Sequence, residues 1–423
     1  MIDINRIRNN KEEVEKALLK RMDNVNLDEI IEIDKKKREI GTKLDECRHE
    51  RKVISDSIPT LKKEGKETSK IINDMKLLGD KIDELSTKYN ELDKKLFEIL
   101  AYLPNIPDED VVGGGKENNK VIYTYKEKPH FDFKLKPHYE ILKELNMVDY
   151  DRGIKIGGEK AWIYTGIGAR LEWSLINYFI DTHIKNGFQF MMVPYMLKNE
   201  CGFGAGQFPK FNDEVYKIEN EDLFLLPTAE TALVNIHSDE IMDIDDLPKK
   251  YFAYTQCFRV EAGSSREEER GTIRGHQFNK VEMVEYVEEG KTEEAFNELL
   301  NTAKYLVESL GLHYQISKLA AGDCSAGMAR TYDLEVWIPS KGIYKEVSSV
   351  SNAYDYQARR SNCKYRDKDG NLHYVCTLNG SGLATSRLIP AIVEQYQNSD
   401  GSINVPEVLR PYLGIDIIKG CNK

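Results

Sequence analysis

Several common features are missing from this 423-residue sequence. It has no run of eighteen apolar residues, so we expect no transmembrane helix and no membrane partner. The amino terminus has no apolar segment behind a basic start, which argues against a secretory signal. The seven cysteines are odd in number and none forms a Cys-x-x-Cys pair, which disfavours a disulfide framework or a cysteine-rich zinc site. A cytoplasmic protein with reduced thiols is predicted.

Two further features are absent. There is no glycine-rich phosphate loop of the Walker or Rossmann type, which disfavours an ordinary P-loop NTPase or dehydrogenase. There is also no excess of positive charge, because the formal net charge is −11. Taken alone, that charge argues against a nucleic-acid partner.

The charge is distributed unevenly along the chain. The first 100 residues contain 23 basic and 23 acidic residues, whereas the remaining 323 carry the whole deficit. Such a sharp change predicts two domains of different architecture.

The charge-balanced part has a heptad-like pattern. Its apolar positions recur in alternating steps of three and four, with gaps at Lys37 and Arg51, which is typical of an antiparallel coiled coil. Pro59 and Gly65 lie between the two series, so we expect a helical hairpin with its tip near 59–66. The two series are Ile30, Ile33, Ile40, Leu44, Cys47, Ile54, Ile58 and then Ile71, Met75, Leu78, Ile82, Leu85, Tyr89, Leu92, Leu96, Ile99.

Such a hairpin has a thin core and should project as an arm. One interpretation is a dimerisation coiled coil, and the other is an arm that contacts a large partner. The predicted outer face is rich in basic residues interleaved with acids, which is also common on a solvated helix. These basic residues are Lys35, Lys36, Arg38, Lys43, Arg48, Lys52, Lys62, Lys63, Lys66 and Lys70.

The remainder predicts an α+β fold around a mixed, mostly antiparallel sheet flanked by helices. We expect an N-terminal domain at 1–103, a linker at 104–130 containing the glycines 113–115, and a second domain at 131–423. The predicted elements are helix 171–184, strand 188–194, strands 251–260 and 275–287, hairpin strands 332–337 and 344–350, strand 374–378 and helix 382–396.

The strands at 251–260 and 275–287 carry the most informative residues. Arg259 and Glu261 share one face of the first strand, while Phe278, Lys280 and Glu282 share one face of the second. Arginine binds phosphate and carboxylate through its planar fork, and a phenylalanine can stack on a base. The same pattern is also compatible with an ordinary salt-bridged sheet face.

The order of several motifs favours a ligand-binding site over a salt-bridged sheet face, because it resembles that of a known family. Phe258-Arg259-Val260-Glu261 with Arg274 and Phe278 resembles motif 2 of class II aminoacyl-tRNA synthetases. The run 382–387 resembles motif 3, and the helix 171–184 with a strand ending at Pro194 resembles motif 1. The chain as a whole resembles the bacterial type of the seryl-tRNA synthetase family, arm included, through the segments 228–230, 276–282, 332–337, 357–360 and 378–383.

The resemblance implies an aminoacyl-tRNA ligase that makes seryl-adenylate from L-serine and ATP and transfers the seryl group to tRNA(Ser). It leaves open whether tRNA(Sec) is charged as well. The arm would bind tRNA, and a homodimer would form through motif 1. Catalysis of this kind depends mainly on positioning and charge stabilisation.

Residue roles are likewise implied by the resemblance. The catalytic residues would be Arg259, Glu261, Arg274 and Arg387. The residues that surround serine would be Thr228, Glu230, Arg259, Glu282, Asn379 and Ser381. The residues that bind ATP would be Arg259, Glu261, Arg274, Phe278, Glu346, Ser349 and Arg387, with Glu346 and Ser349 also holding Mg²⁺.

The motif 2 loop departs from the family pattern. Three acidic residues, Glu267, Glu268 and Glu269, stand at its centre, where negative charge near tRNA phosphates is unfavourable. Ser386 stands where motif 3 usually has glycine. An alternative function is therefore a divergent paralogue that activates serine but does not charge tRNA efficiently.

Overall fold

The structure is a computed structural model that describes residues 1–65, 67–261 and 271–420. The chain divides into two compact units. One comprises Ile2–Leu19 with Asp23–Leu103, and the other comprises Met1, Lys20–Met22 and Pro104–Lys423. No helix in the described ranges is long and apolar enough to cross a membrane.

The first unit is helical. Its helices are α1 (Ile4–Asn9), α2 (Lys11–Leu18), α3 (Asp28–Lys63) and α4 (Ser69–Tyr102). At 1.5 Å per residue, the 36 residues of α3 span about 54 Å. The two long helices pack against each other, as the heptad-like pattern predicts.

The seam between α3 and α4 is narrow. Leu44, Cys47 and Ile82 form its buried cluster, with Leu78 and Leu85 packed against it. At the first gap in the pattern, Lys37 donates to Asp93 and its ammonium lies 5.3 Å from the Tyr89 ring centroid. The gap is therefore filled by a polar contact between the helices rather than by an apolar one.

The predicted hairpin tip is wrong at its amino-terminal end. Helix α3 continues through Pro59 and ends at Lys63. Proline removes one backbone hydrogen bond but has a φ compatible with a helix, so packing along the seam can sustain the helix for another turn. Ser57 donates to the carbonyl oxygen of Ile54 at 2.7 Å near this point.

The second unit is built on an eight-stranded sheet in the order β1-β10-β11-β12-β15-β9-β8-β4. Every neighbouring pair is antiparallel except β4 and β8. The strands of the unit are β1 (Lys120–Tyr125), β2 (Val148–Asp149), β3 (Ile163–Tyr164), β4 (Gln189–Met191), β5 (Met196–Lys198), β6 (Leu223–Leu225), β7 (Ile241–Asp243), β8 (Lys249–Phe258), β9 (Gln277–Val287), β10 (Tyr314–Lys318), β11 (Arg330–Ile338), β12 (Ile343–Tyr354), β13 (Lys364–Arg366), β14 (Leu372–Tyr374), β15 (Cys376–Ala384), β16 (Ile403–Asn404) and β17 (Ile417–Ile418).

Helices cover this sheet. The main apolar core lies between the sheet and α7, α10 and α12, and contains Phe179, Phe252, Leu299 and Leu388. The α+β prediction is confirmed. The helices are α5 (His138–Glu144), α6 (Tyr150–Gly157), α7 (Gly166–Lys185), α8 (Asn199–Gly204), α9 (Glu230–Leu233), α10 (Thr292–Ser309), α11 (Tyr356–Ser361), α12 (Thr385–Gln395) and α13 (Arg410–Leu413).

Two segments have a different kind of structure from the one that the sequence predicted. Lys120–Tyr125, inside the expected linker, is the edge strand β1 and pairs with β10. The helix expected from Gly382 begins at Thr385, because β15 continues through Ala384 with a register shift after Ser381. Gly382 must lack a side chain, since a Cβ there would lie 2.3 Å from His183 Nε2 on α7. The close contact of α7 with β15 thus requires glycine at this strand position.

Candidate active site

A cleft of about 590 Å³ lies in the second unit, over β9, β11, β12 and β15. It is lined by all the site residues that the sequence predicted except Phe278. Phe278 lines a smaller pocket that shares Arg259, Glu261 and Arg274 with the cleft. The predicted residues, separated by up to 159 positions, are therefore brought to one place.

Glu282 is at the centre of a buried polar pocket. Its Oε2 lies 2.5 Å from Lys280 Nζ and accepts from the hydroxyls of Ser381 and Thr228 at 3.2 and 3.4 Å. Its Oε1 accepts from Asn379 Nδ2 at 3.4 Å. These groups converge because β9 and β15 are neighbours, with Glu282 directly opposite Ser381. The pocket can bond a small ligand that carries a hydroxyl.

Lys280 has a larger part in this pocket than the sequence indicated. Its ammonium also donates to Thr228 Oγ1 at 2.7 Å, and its side chain is only 9% exposed. The sequence placed Lys280 on the same face as Phe278 and Glu282 but assigned it no role. A basic residue two positions before a buried acid on a strand was the available signal.

Glu230 lies at the start of α9 and faces the same cleft. Gln357 Nε2 donates to Glu230 Oε1 at 2.8 Å, and Gln357 Oε1 accepts from Thr377 at 2.7 Å. Burial first, and the negative charge of Glu282 second, raise the pKa of Glu230 to about 7. Gln357 thus holds the Glu230 carboxylate in place. The sequence assigned Gln357 no role, and the only signal was that it belongs to the motif 357–360.

This raised pKa predicts a pH dependence for a ligand that carries an ammonium group. Below about pH 7, Glu230 is protonated in the empty site and cannot form an ion pair with an ammonium group. For L-serine, the ligand that the resemblance implies, we therefore expect the KM to fall as the pH rises from 6 to 8. Bound serine should lower the pKa of Glu230, so kcat should change less than KM. Serine-dependent pyrophosphate exchange across this range measures both. A serine KM that is constant over the range would contradict the prediction.

Arg259 lies just beyond the end of β8 and points into the cleft. Its Nε donates to the carbonyl oxygen of Pro227 at 3.2 Å, and its guanidinium carbon lies 5.2 Å from the Phe278 ring centroid. Its backbone N–H donates to the His276 carbonyl oxygen at 2.9 Å, which continues the ladder between β8 and β9. Fixed in this way, the guanidinium can receive an anion next to an aromatic face.

Glu261 and Arg274 form an ion pair at the rim. Glu261 Oε2 lies 2.5 Å from Arg274 Nη2, and Glu261 has a φ of +49°, which is uncommon for a residue other than glycine. Lys160 donates to the Glu261 carbonyl oxygen at 3.2 Å. The pair thus places a carboxylate and a guanidinium side by side in the cleft.

Arg387 and Glu346 form a second ion pair in the same cleft. Arg387 Nη1 lies 3.3 Å from Glu346 Oε2 and donates to the Glu346 carbonyl oxygen at 2.8 Å. Arg387 Nε donates to the Ile273 carbonyl oxygen at 3.4 Å. These contacts join the start of α12 to β12 and to the segment before β9.

Near Glu346 lie further oxygen atoms that could act as ligands of a cation. Ser349 lies opposite Asp333 across the β11–β12 pair, and both line the cleft. Burial first, and then Glu346, raise the pKa of Asp333 well above its ordinary value, and Asp333 Oδ1 has no hydrogen-bond partner within the described part of the chain. Oxygen ligands with an unsatisfied carboxylate fit a hard cation such as Mg²⁺. The sequence quoted Asp333 within 332–337 but gave it no role.

No cluster of three or more histidine, cysteine, aspartate or glutamate side chains suited to a metal is found among the described residues. A cation at Glu346 and Ser349 would therefore need further oxygen ligands from substrate or water. The loop with Glu267, Glu268 and Glu269 lies outside the described residues, so the expected effect of those charges stays a prediction.

Comparisons with known proteins identify the family of this chain. Residues 1–107 match the family model "Seryl-tRNA synthetase N-terminal domain". Residues 213–396 match "tRNA synthetase class II core domain (G, H, P, S and T)". Together the two matches cover the helical unit and most of the residues that line the cleft.

Individual relatives are similar over nearly the full length. A serine–tRNA ligase 2 from Clostridium acetobutylicum is 53% identical, with 98% of this chain and 100% of that protein aligned. A serine–tRNA ligase from Thermoanaerobacter pseudethanolicus is 44% identical, with 99% and 100% aligned. The seryl-tRNA synthetase of Pyrococcus horikoshii, solved in complex with ATP, is 34% identical with a TM-score of 0.93 over 100% of both chains. This chain belongs to the seryl-tRNA synthetase family of class II aminoacyl-tRNA synthetases.

Proposed function

We propose that this enzyme is a serine–tRNA ligase and that the pocket around Glu282 binds the serine side chain. In the first step, the serine carboxylate attacks the α-phosphorus of ATP, which gives seryl-adenylate and releases pyrophosphate. In the second, a hydroxyl of the terminal adenosine of tRNA(Ser) attacks the seryl carbonyl, and AMP leaves. The observation that carries this proposal is the hydroxyl-bonding pocket of Glu282, Ser381 and Thr228 next to Arg259.

The charges in the cleft support the assignment of serine. Glu230 and Thr228 would bond the ammonium group, while Glu282, Asn379 and Ser381 would bond the hydroxyl. A buried site built for a hydroxyl rejects alanine, because its own polar groups would be left unpaired.

Arg259 would neutralise the two anions that react. Placed between the serine carboxylate and the α-phosphate, it would bring them together and stabilise the charge that develops in the transition state. Its fixed position against Pro227 and Phe278 supports this role because the guanidinium is already oriented.

The adenosine and outer phosphates would occupy the rest of the cleft. Phe278 would stack on adenine and Glu261 would accept from its amino group, while Arg274 and Arg387 would contact the outer phosphates and the adenosine. Glu261 and Arg274 are paired with each other, so bound ATP would exchange part of that contact for its own.

Mg²⁺ would be held by Glu346 and Ser349, with Asp333 beneath them. The cation would neutralise phosphate charge and favour departure of pyrophosphate. Arg387 would share this task from the other side, through its contact with Glu346.

We further propose that the helical arm binds tRNA(Ser) and that the enzyme is a homodimer through motif 1. In this proposal, residues 1–103 form the tRNA-binding domain, residues 104–130 form the linker and residues 131–423 form the catalytic domain. The strand Lys120–Tyr125 of the linker pairs with the catalytic sheet and so belongs with that domain. The apolar side chains of Trp173, Ile184, Phe190 and Met192 on α7 and around β4 are exposed in the single chain, Met192 to 91%, which supports a partner there.

Free thiols at the six described cysteines are compatible with the cytoplasm.

Aminoacylation of purified tRNA(Ser) tests the function directly, and deletion of the arm tests its role. Glu29 on α3 and Lys95 on α4 form an ion pair of 2.7 Å, which places the start of α3 beside the last turns of α4, so a glycine-serine linker can replace residues 30–99. We expect this variant to lose at least about 100-fold in charging efficiency while serine-dependent pyrophosphate exchange stays within about twofold, because tRNA affinity depends mainly on contacts to its backbone and shape.

The two measurements separate the possible failures. Exchange without charging in the full-length enzyme would favour the alternative of a divergent paralogue that activates serine only. The 53% identity to a serine–tRNA ligase does not favour that alternative. Unchanged charging in the deletion variant would overturn the role of the arm alone.

A further inference from the structure

Glu172, on helix α7, is a buried carboxylate that the roles above do not use. It is 4% exposed and contacts Asn279, whose side chain points to the opposite face of β9 from the cleft residues Lys280 and Glu282. Its Oε1 accepts from Asn279 Nδ2 at 2.7 Å and from the hydroxyl of Thr385. A single carboxylate oxygen therefore joins three elements: α7, β9 and the first residue of α12.

Both donors are next to residues proposed to hold ATP. Asn279 lies between Phe278 and Lys280, and side chains alternate along a strand, so holding Asn279 from behind sets the direction of its neighbours toward the cleft. Thr385 is two residues before Arg387, in the first turn of α12. A shift of this turn would move Arg387 away from Glu346.

Further contacts make the same region rigid. The Tyr254 hydroxyl donates to Asn279 Oδ1 at 2.9 Å, so the Asn279 amide is held at both ends. The Thr272 hydroxyl donates to the Ser386 carbonyl oxygen at 3.0 Å. Glu172 supplies the charged acceptor at the centre of this arrangement, and hydrogen bonds to a charged acceptor are stronger than neutral ones.

We propose that Glu172 is a positioning residue that sets Phe278 and Arg387 for ATP through Asn279 and Thr385. This inference rests on the proposed function. Glu172 itself does not touch the substrate, so removing its charge should weaken the binding of ATP more than the chemical step, and should leave the binding of serine unchanged.

The environment of Glu172 also predicts how pH acts on it. Burial raises its pKa to about 7, and its Oε2 has no hydrogen-bond partner among residues 1–65, 67–261 and 271–420, which leaves that oxygen available for a proton. Tyr164 and Tyr254 are close enough for the charge of Glu172 to act on their phenols. Burial first, and nearby charges including Glu172, raise the pKa of Tyr254 to about 12 and that of Tyr164 well above its ordinary value. Both phenols are therefore neutral near pH 7. Since the carboxylate prevails above about pH 7, ATP binding should be tighter there than at pH 6.

Two conservative variants test the proposal. Glu172→Gln keeps the shape and removes the charge, and Thr385→Val keeps the volume and removes the hydroxyl. At pH 8 we expect each to raise the KM for ATP in pyrophosphate exchange about fivefold, with kcat and the KM for serine changed less than twofold, which corresponds to the loss of one charge-assisted hydrogen bond. The effect of the double variant should be smaller than the product of the two single effects, because both variants act on the hydrogen bond between Thr385 and Glu172.

The chain offers matched controls. Glu285→Gln changes another buried carboxyl group on the same strand as Asn279. Burial raises the pKa of Glu285 to about 8, and Glu285 does not line the cleft. Thr182→Val changes another buried threonine of α7, whose hydroxyl donates to its own helix at Tyr178. Both controls should keep the KM for ATP of the parent enzyme.

The pH profile supplies the second readout. From pH 8 to pH 6, the KM for ATP should rise more steeply in the parent and in Glu285→Gln than in Glu172→Gln, since protonation of ATP itself is common to all three. Parent-like values and slopes in Glu172→Gln and Thr385→Val would overturn the inference while leaving the proposed function intact. An equal rise in KM in the controls would also overturn it. Absence of exchange in the parent would instead overturn the proposed function.

Discussion

Replacing Arg259 with alanine is expected to reduce kcat/KM for serine-dependent pyrophosphate exchange by about 1000-fold or more, the range seen when a preorganised donor to a developing charge is removed. The reason is its position: the guanidinium is held by Pro227, lies against Phe278 and lines the same cleft as Glu282 and Arg387. Without it, the serine carboxylate and the α-phosphate would approach each other with no cation between them.

Arg259→Lys is an informative companion. It keeps the charge but loses the planar fork that can bond a carboxylate and a phosphate together, so we expect most of the loss to remain. Arg152→Ala is the matched control, because Arg152 forms its ion pair with Asp149 on an exposed helix and does not line the cleft. Full activity in Arg259→Lys would show that charge alone suffices, and full activity in Arg259→Ala would remove Arg259 from the mechanism.

Replacing Glu282 with glutamine is expected to raise the KM for serine about 100-fold and to narrow the preference for serine over alanine. A pocket that bonds the substrate hydroxyl discriminates strongly against the analogue without it, and Glu282 is the acceptor in this pocket. The measurement is pyrophosphate exchange with serine and with alanine. Glu285→Gln, on the same strand and facing away from the cleft, is the control and should behave as the parent does.

The Glu282→Gln variant also leaves the Lys280 ammonium without its charged partner. An unpaired buried charge destabilises a fold by about 3–5 kcal/mol. Lys280→Met combined with Glu282→Gln removes both charges and separates the two effects. We expect the double variant to recover thermal stability without recovering serine activation. Recovery of serine activation as well would show that Glu282 has only a structural role.

Much of the fold could be predicted because its signals are local. The series from Ile30 to Ile58 and from Ile71 to Ile99 alternates in steps of three and four, and the long helices follow it. Alternating strands at 251–260 and 275–287 likewise correspond to β8 and β9. Local signals failed where packing overrides propensity, as at Pro59, which lies inside α3, and at Gly382, which continues β15 instead of starting a helix.

The site was predictable only in part, for a related reason. The order of the motifs identified Arg259, Glu282 and Arg387, because each lies in a recognisable segment. Lys280, Gln357 and Glu172 were not assigned roles, since each acts through another side chain that is distant in sequence. Gln357, for example, joins Glu230 to Thr377, and such a link is visible only when α11 is seen beside α9 and β15.

Periodicity and motif order are properties of the linear chain, so the helical arm, the alternation of the central strands and the family could be predicted without a structure. Tertiary structure decided which groups bond Glu282, since Thr228, Asn379 and Ser381 reach it only through the order of strands in the sheet. It also decided the raised pKa of Glu230 and of Glu172, because burial removes a carboxylate from water only once the surrounding elements have closed over it.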